Sequence, residues 1–482
     1  MTSSNKHRLI RARESSLGVA PVAGYRRAWI VNETFRPEDT FEQSQTITGD
    51  RLIAALLRTG ARVTGQLDAE FAFKQCDYGF EMGMLNIYSE TPEADGTEIA
   101  SVTASSDTIA TNNGAIFNVG DLVQVSGMAN AANNGIFVAI AGTMTNAVVI
   151  GGGGTLVDET PGAAARVKVV GVQGVSGDIT ATATGLGSTT MNWAARPWIK
   201  AGMACKIGGP SGGAAGLRFD TAALNRFATV KTPTATALPL DDRGASWATD
   251  AGASKTIRVY FGDFLEHGDA ATMPTETHEA VLLGQGAPVH VRFSALACNQ
   301  MIMNLQRRAR IQPQFNMIGF SDSYAGAETD APDTDAFIQP MVTGDNIGEI
   351  MVGGLARASH SVIKGLNFDL NNNLQADGPL NNIRDTIYDA GDAILRCGIT
   401  AKFGSDIDWA AFRSGAQTSL LVPFYASSQG YAMKVWAGKY VDGDRSPGGR
   451  NQFVDFRGTI QGFKDPTTGK MLTFTRFENV GI

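Results

Sequence analysis

The 482-residue chain is too long for one ordinary core and reads as two to four domains of about 100 to 200 residues each. Its 40 basic and 47 acidic residues give a net charge of −7, and only 18% of residues are charged. That balance excludes a DNA-coating protein and a charge-swollen disordered chain. With 43% hydrophobic residues, 56 glycines and 17 prolines, the composition predicts well-filled cores made mostly of β-strands joined by tight turns.

The N-terminus, Met1 to Glu14, is polar and basic with no apolar stretch behind it, and no apolar run approaches the roughly 18 residues of a membrane span. Neither a secretion signal nor membrane insertion is expected. Lys6, Arg8, Arg11 and Arg13 form a basic arm expected to dock on a neighbouring subunit or to stay mobile. Val63 to Phe73 alternates as a strand: Val63, Leu67 and Phe71 face one side, Asp68 and Glu70 the other. The two carboxylates suit a solvated sheet face or a surface that must repel polyanions.

From Thr97 to Gly262 only 21 of 166 residues are charged, against 66 in the remaining 316. Inside this island a pattern occurs twice. Phe117-x-x-Gly120 through Gly127 matches Trp198-x-x-x-Gly202 through Gly209; Phe137 and Ala147 match Phe227 and Ala237 at the same separation. Two tandem β domains with Gly/Asn turns follow, as small sandwiches or barrels. They are expected to sit on a loop and to be dispensable for the rest of the chain.

The flanks repeat more faintly. Arg51 to Gly65 has the spacing of Arg384 to Gly398, and Phe71, Phe80 and Gly83 have the spacings of Phe403, Phe412 and Gly415. Each flank predicts a strand and then a short helix: Val63 to Phe73 in the first copy, Leu395 to Phe403 in the second. The second helix would start at Ser405-Asp-Ile-Asp408 and end at Gly415. Domain boundaries follow: 1–96 with 263–340 as a discontinuous copy A, 97–172 and 173–262 as the inserted pair, 341–482 as copy B.

No chemistry stands out. Cys76, Cys205, Cys298 and Cys397 are far apart, without a CxxC pair, and read as free thiols. The five histidines lack metal-ligand spacing, and Gly151 to Gly154 lacks the Lys-Ser/Thr of a phosphate loop. No catalytic, cofactor-binding or metal-binding residues are assigned, and the chain is not expected to be an enzyme.

Arg13-Glu14-Ser15, the Ser44 to Arg51 segment, Arg58 to Glu70 and Leu366-Asn367-Phe368-x-x-Asn371-Asn372 resemble the major tail tube proteins of long-tailed, non-contractile bacteriophages. Gly120 to Gly127 and Asn133 to Phe137 resemble the β domains that decorate such tubes. The resemblance implies a mainly β fold: a duplicated tube-type β-sandwich with a short helix per copy, plus two inserted small β-sandwich or barrel domains. It implies a virion structural protein, assembled in the host cytoplasm, whose stacked rings form a DNA channel. Its partners would be further copies of itself, a tape measure protein, a tail terminator and distal tail proteins, with double-stranded DNA in non-specific transit. A simple tube subunit has one such fold, so duplication predicts a homotrimeric ring with pseudo-sixfold symmetry; a true hexamer is the alternative. Asp68 and Glu70 are candidates for the channel wall. Glu81, Arg413 and Lys402 are candidates for inter-subunit contacts, because Glu81 and Arg413, like Glu70 and Lys402, occupy matching places with opposite charge. A surface adhesin binding glycans through the inserted pair is the competing reading.

Overall fold

The computed structural model describes residues 7–482 except 48, 50–51, 113–116, 145, 152–155, 211–214, 270, 284–286, 331–336, 358–361, 404–406, 448–449 and 451–453. The flanks of the low-charge island pair into an 18-stranded antiparallel sheet system. Its recurring strands are, in chain order, β1 (Arg36–Gln43), β2 (Leu56–Ala69), helix α1 (Asp77–Gly83), β3 (Glu276–Leu282), β4 (Val289–Gln306), β5 (Gln312–Gly319) and β6 (Ser321–Ala325). They recur as β7 (Ile363–Asn371), β8 (Ile394–Lys402), helix α2 (Ile407–Ser414), β9 (Thr418–Ala426), β10 (Gln429–Pro447), β11 (Val454–Phe463) and β12 (Leu472–Phe477).

The repetition extends to register. His278 faces Phe293 across β3 and β4, and 142 residues later Leu420 faces Val435 across β9 and β10. Both pairs slip at the same place, between Glu276 and His278 and between Thr418 and Leu420. A second slip separates Cys298 from Gln300 on β4 and Tyr440 from Asp442 on β10. A bulge bends its strand and raises the local twist. Each long strand therefore serves two layers: the first half of β4 pairs with β3 and β6, the second with β5 and β7. The first half of β10 pairs with β9 and β12, and its second half, among the described residues, with β11 alone. The inner layer is one antiparallel sheet in the order β1-β2-β5-β4-β7-β8-β11-β10, with β1 and β10 at its edges.

One apolar cluster fills the space between the layers, including Leu67, Phe71, Met301, Phe315, Phe368, Ile399 and Phe474. The helices close it. Phe80 of α1 packs edge-on to Phe315, and a Cβ on Gly79 would overlap the Phe315 ring. Phe412 of α2 occupies the space that a side chain at Gly443 would need. Gly415 ends α2 with φ +63°, as its place in the sequence predicts; Ser405 and Asp406 lie outside the described residues.

Several expectations shift. β2 starts at Leu56, because β1 pairs with it from there, and it stops at Ala69. Gly65 lies opposite Met317 and Cys397 opposite Ile460, so the counterpart of Gly65 is Cys397, one residue before Gly398. The glycine match was coincidental; the Phe71 and Phe403 spacing follows the true register. Arg51 is outside the described residues. Of the basic arm, Lys6 lies outside the described residues, and the rest is engaged within the chain: His7–Arg13 is a strand paired with β3, and Arg8, Arg11 and Arg13 bind Glu328, Glu276 and Glu81.

Between Glu93 and Tyr260 lies a separate 13-stranded sheet. Its halves run Asp121–Ser126, Gly135–Ala139, Ala147–Gly151, Arg166–Gln173 and then Ala204–Ile207, Phe227–Val230, Ala237–Asp241, Arg258–Tyr260. The last strands of the halves pair, with Val172 opposite Val259. One buried cluster spans both halves, with Trp193 and Trp198 in it, so they share a core. Val123 faces Phe137, whereas the matching Cys205 faces Ala228. Phe137 thus corresponds to Ala228, not Phe227, which is directed toward Phe477 and Tyr425 of the frame.

The insert is not held on a free loop. β12 buries both faces: Leu472 and Phe474 enter the frame core, while Thr473 donates to the Gly202 carbonyl at 3.0 Å and Thr475 accepts from the Ala204 amide at 2.8 Å. Arg476 binds Asp77 of α1 and, at 2.6 Å, Asp263 at the exit of the insert; Lys168 of the insert binds Asp263 at 3.0 Å. Lys434 on β10, 1% exposed, binds the fully buried Asp242 at 2.5 Å. Removing one partner of such a pair strands a buried charge at a cost of about 3 to 5 kcal/mol. Asp242→Ala should lose about that much stability in denaturant titrations, and Asp242→Ala with Lys434→Met should recover most of it.

Candidate functional site

The inner sheet buries one face and leaves the other uncovered. On β2, Val63, Leu67 and Ala69 are buried, while Arg62, Thr64, Gln66 and Asp68 project the opposite way. Strand alternation carries this across the sheet, and cross-strand neighbours on the uncovered face bond to one another. Asp68 accepts from Gln66 at 2.8 Å and from Gln314 at 3.1 Å. Asn316 donates to Gln300 at 2.9 Å, and Gln300 donates to Asp369 at 2.7 Å. Asn367 donates to Asn304. This amide and carboxylate ladder crosses from β2 to β7, over the junction between the two halves of the frame. Farther along, Lys364 pairs with Asp455 at 2.5 Å and Arg62 with Glu38 at 2.8 Å. A shallow concavity of about 660 Å³ is lined by Asn304, Asn367, Thr400, Asp444 and Arg457 among others. Both signs of charge are interleaved on this face, so it offers no run of cations to a polyanion.

Among the described residues the face carries amides, carboxylates and paired charges. Among the described residues no three metal-binding side chains gather. His278 and His290 sit in the frame, at 3.0 Å from Glu276 and 3.2 Å from Glu279. All four cysteines are free and buried, and burial pushes the Cys76, Cys205 and Cys298 thiols up to about 12, which suppresses the reactive thiolate. Asn372, in the Asn371-Asn372-Asn373 turn, is buried and donates to the carbonyls of Gly83 and Cys298 at 2.9 and 3.1 Å. It pins the end of α1 to the bulge of β4.

The five residues singled out from sequence are dispersed. Asp68 projects from the uncovered face. Glu70 follows the end of β2 and is tied to Arg310. Glu81 is 9% exposed within α1, bound to Arg13 and accepting the Tyr88 amide at 3.1 Å. Burial raises its pKa, partly opposed by Arg13. Lys402 ends β8 opposite Asp455. Arg413 is exposed on the last turn of α2. Sequence reading missed Asp369 and the amides, because Asn and Gln between apolar residues look like ordinary turn or surface positions until pairing places them side by side. It also missed the two sheet edges: β1 is exposed along almost its whole length, and Val441, Asp442, Asp444 and Arg445 of β10 are exposed.

Among the described residues, a duplicated antiparallel sandwich with one bare polar sheet leaves two strand edges unpaired, and such edges are where β proteins pair with further chains. The sequence model of the phage tail tube protein family matches residues 159–462, more than half of the chain, and the chain belongs to that family. It is therefore a structural protein of the phage tail whose kind assembles into a tube. The match starts within the insert, so the strings between Arg13 and Glu70 lie outside it, and it lends nothing to the adhesin reading. No curated protein matches the chain.

Because the ladder is half exposed and its bonds are polar, removing Asp68 or Asp369 costs little folding energy, about 1 kcal/mol or less each. Asp68→Ala and Asp369→Ala should melt within a few degrees of the wild-type chain by calorimetry; a much larger loss would mean that the ladder holds the frame together.

Proposed function

We propose that the chain is the major tail tube subunit of a long-tailed, non-contractile phage, that three chains close a ring of six frame halves, and that the uncovered face of the inner sheet lines a channel for DNA. The carrying observation is the duplicated frame with both bulges in register, set in one eight-strand inner sheet open at β1 and β10. Two equivalent wedges per chain make three chains the count for a six-wedge ring. In this reading copy A comprises 1–96 with 263–340, copy B 341–482, and the inserted pair, 97–172 and 173–262, decorates the outside. Its packing on β12 supports this, because β12 belongs to the layer away from the bare face.

Stacking of rings is supported at one end of the sheet. The β1–β2 hairpin exposes Phe41, Leu56 and Leu57, and the β7–β8 connection exposes Leu380, Ile383 and Ile387. The two lie together, with the Ala61 amide donating to the Ile383 carbonyl at 2.8 Å. A tape measure protein inside the tube, terminator and distal proteins at its ends and assembly in the host cytoplasm complete the proposal.

Electron cryomicroscopy of purified tubes should show a threefold axis with two similar wedges per chain; a strict sixfold axis with one chain per wedge would refute the count. Asp68→Lys with Asp369→Lys should leave assembly near wild type and slow DNA ejection, since paired lysines would bind passing phosphates. Ejection at the wild-type rate would argue against this face lining the channel.

A further inference from the structure

We infer that neighbouring chains meet as the two halves of one chain meet, so that Asp444 of one chain faces Arg36 of the next and Tyr324 of that next chain stacks on Phe412. The inference rests on the tube-subunit reading, and the register carries it further to particular side chains.

The junction inside the chain has two components. In the inner layer β4 pairs with β7, placing Ile302 opposite Asp369. Behind it β12 covers α1, where Phe474 stacks on Phe80 with centroids 5.1 Å apart and planes at 25°. Each member has a counterpart at the open ends. The shift of 142 residues that relates β4 to β10 carries Ile302 to Asp444. On β7, Asp369 faces Arg396; on β1, Arg36 faces Thr64, the counterpart of Arg396 on β2. Asp369 therefore maps to Arg36. Tyr324 faces Val291 on β4 as Phe474 faces Met433 on β10, so Phe474 maps to Tyr324. Phe80 maps to Phe412.

Register alone selected these four positions, and what occupies them fits a joint. Arg36 and Asp444 carry opposite charges, are exposed, and lie on the two edge strands of the inner sheet. Among the described residues neither enters a recorded ion pair. Tyr324 is 78% exposed, an unusual setting for a large ring. Phe412 is only partly buried on the side of α2 that corresponds to the covered side of α1. An aromatic pair would thus replace an aromatic pair, and an ion pair would close the sheet. The adjacent position sets Glu38 against Asp442, but Glu38 is already bound to Arg62 at 2.8 Å, which offsets the like charges. The occupant of both edges is a second copy of this chain, since Arg36 on one edge and Asp444 on the other carry opposite charges at the mapped position.

The test uses full-length protein. Antiparallel partners lie about 4.5 to 5.5 Å apart at Cα, within disulfide range. Arg36→Cys with Asp444→Cys should therefore give chain-to-chain cross-links in assembled tubes on copper-catalysed air oxidation, and neither single variant should. Tyr324→Asp should melt like the wild-type monomer and raise the concentration needed for assembly at least about tenfold. Normal tubes without the cross-link, or wild-type assembly by Tyr324→Asp, would overturn the register while leaving the tube reading intact. A wild-type chain that forms neither rings nor tubes would sink that reading and this inference with it.

Discussion

The structure depends on two strands that change layers. A β-strand offers hydrogen bonds on both sides, and one that keeps the same neighbours throughout can belong to only one sheet. β4 and β10 each accept a one-residue slip near their middle, at Asn299 and Val441. Their N-terminal parts bond to the outer layer, and their pairing with the inner one begins at Ala297 and Ala437, just ahead of the slip, and runs on beyond it. This joins the two layers through continuous chain, and the two short helices pack against the apolar cluster between them. It also explains why small residues recur there. Gly79 and Gly83 let α1 approach Phe315 and Met301, and Gly443 lets α2 bring Phe412 against β10.

A second constraint ties the insert to that frame. Asp263 sits where the insert returns to the frame, with no solvent exposure. Burial by itself would push its pKa up; Lys168 and Arg476 outweigh burial and hold it below the usual carboxylate range. Arg476 is in turn desolvated, yet Asp77 and Asp263 raise its pKa. A buried charge cluster of this kind contributes little net stability but penalises any arrangement that separates its members. Insert, α1 and β12 contribute one member each, so the cluster specifies how the insert sits as much as it stabilises the fold.

Much of this was legible in the sequence, for identifiable reasons. Alternation on β2 and the matched Phe71-to-Gly83 and Phe403-to-Gly415 spacings reflect core contacts that a duplication must keep, and they located both helices. The glycine match of Gly65 to Gly398 and the phenylalanine match of Phe137 to Phe227 failed by one residue each. A strand turns over every residue, so a one-residue error moves a side chain from core to surface, and only pairing reveals it. The partner that Glu81 has within the chain was hidden for another reason. Its charge, matched and opposite to that of Arg413, makes it a candidate for an inter-subunit contact; within the chain it binds Arg13, 68 residues earlier. Long-range ion pairs leave no spacing signal.

The comparison of the two halves also accounts for the placement of the insert. The connection from α1 to β3 spans residues 84–275, whereas the equivalent connection from α2 to β9 is 415–417. Copy B makes the same connection with three residues, so the whole insert lies within one connection of copy A. Its base then rests on β10 and β12 of the other half, through Lys434, Thr473, Thr475 and Phe477. The halves thereby became unequal. α1 is buried along its full length, while α2 keeps exposed residues at its C-terminal end. The joint between the halves is fixed within the chain: its α1–β12 side is buried and its inner-sheet side carries the half-exposed ladder, while β1 and the second half of β10 keep polar, exposed residues.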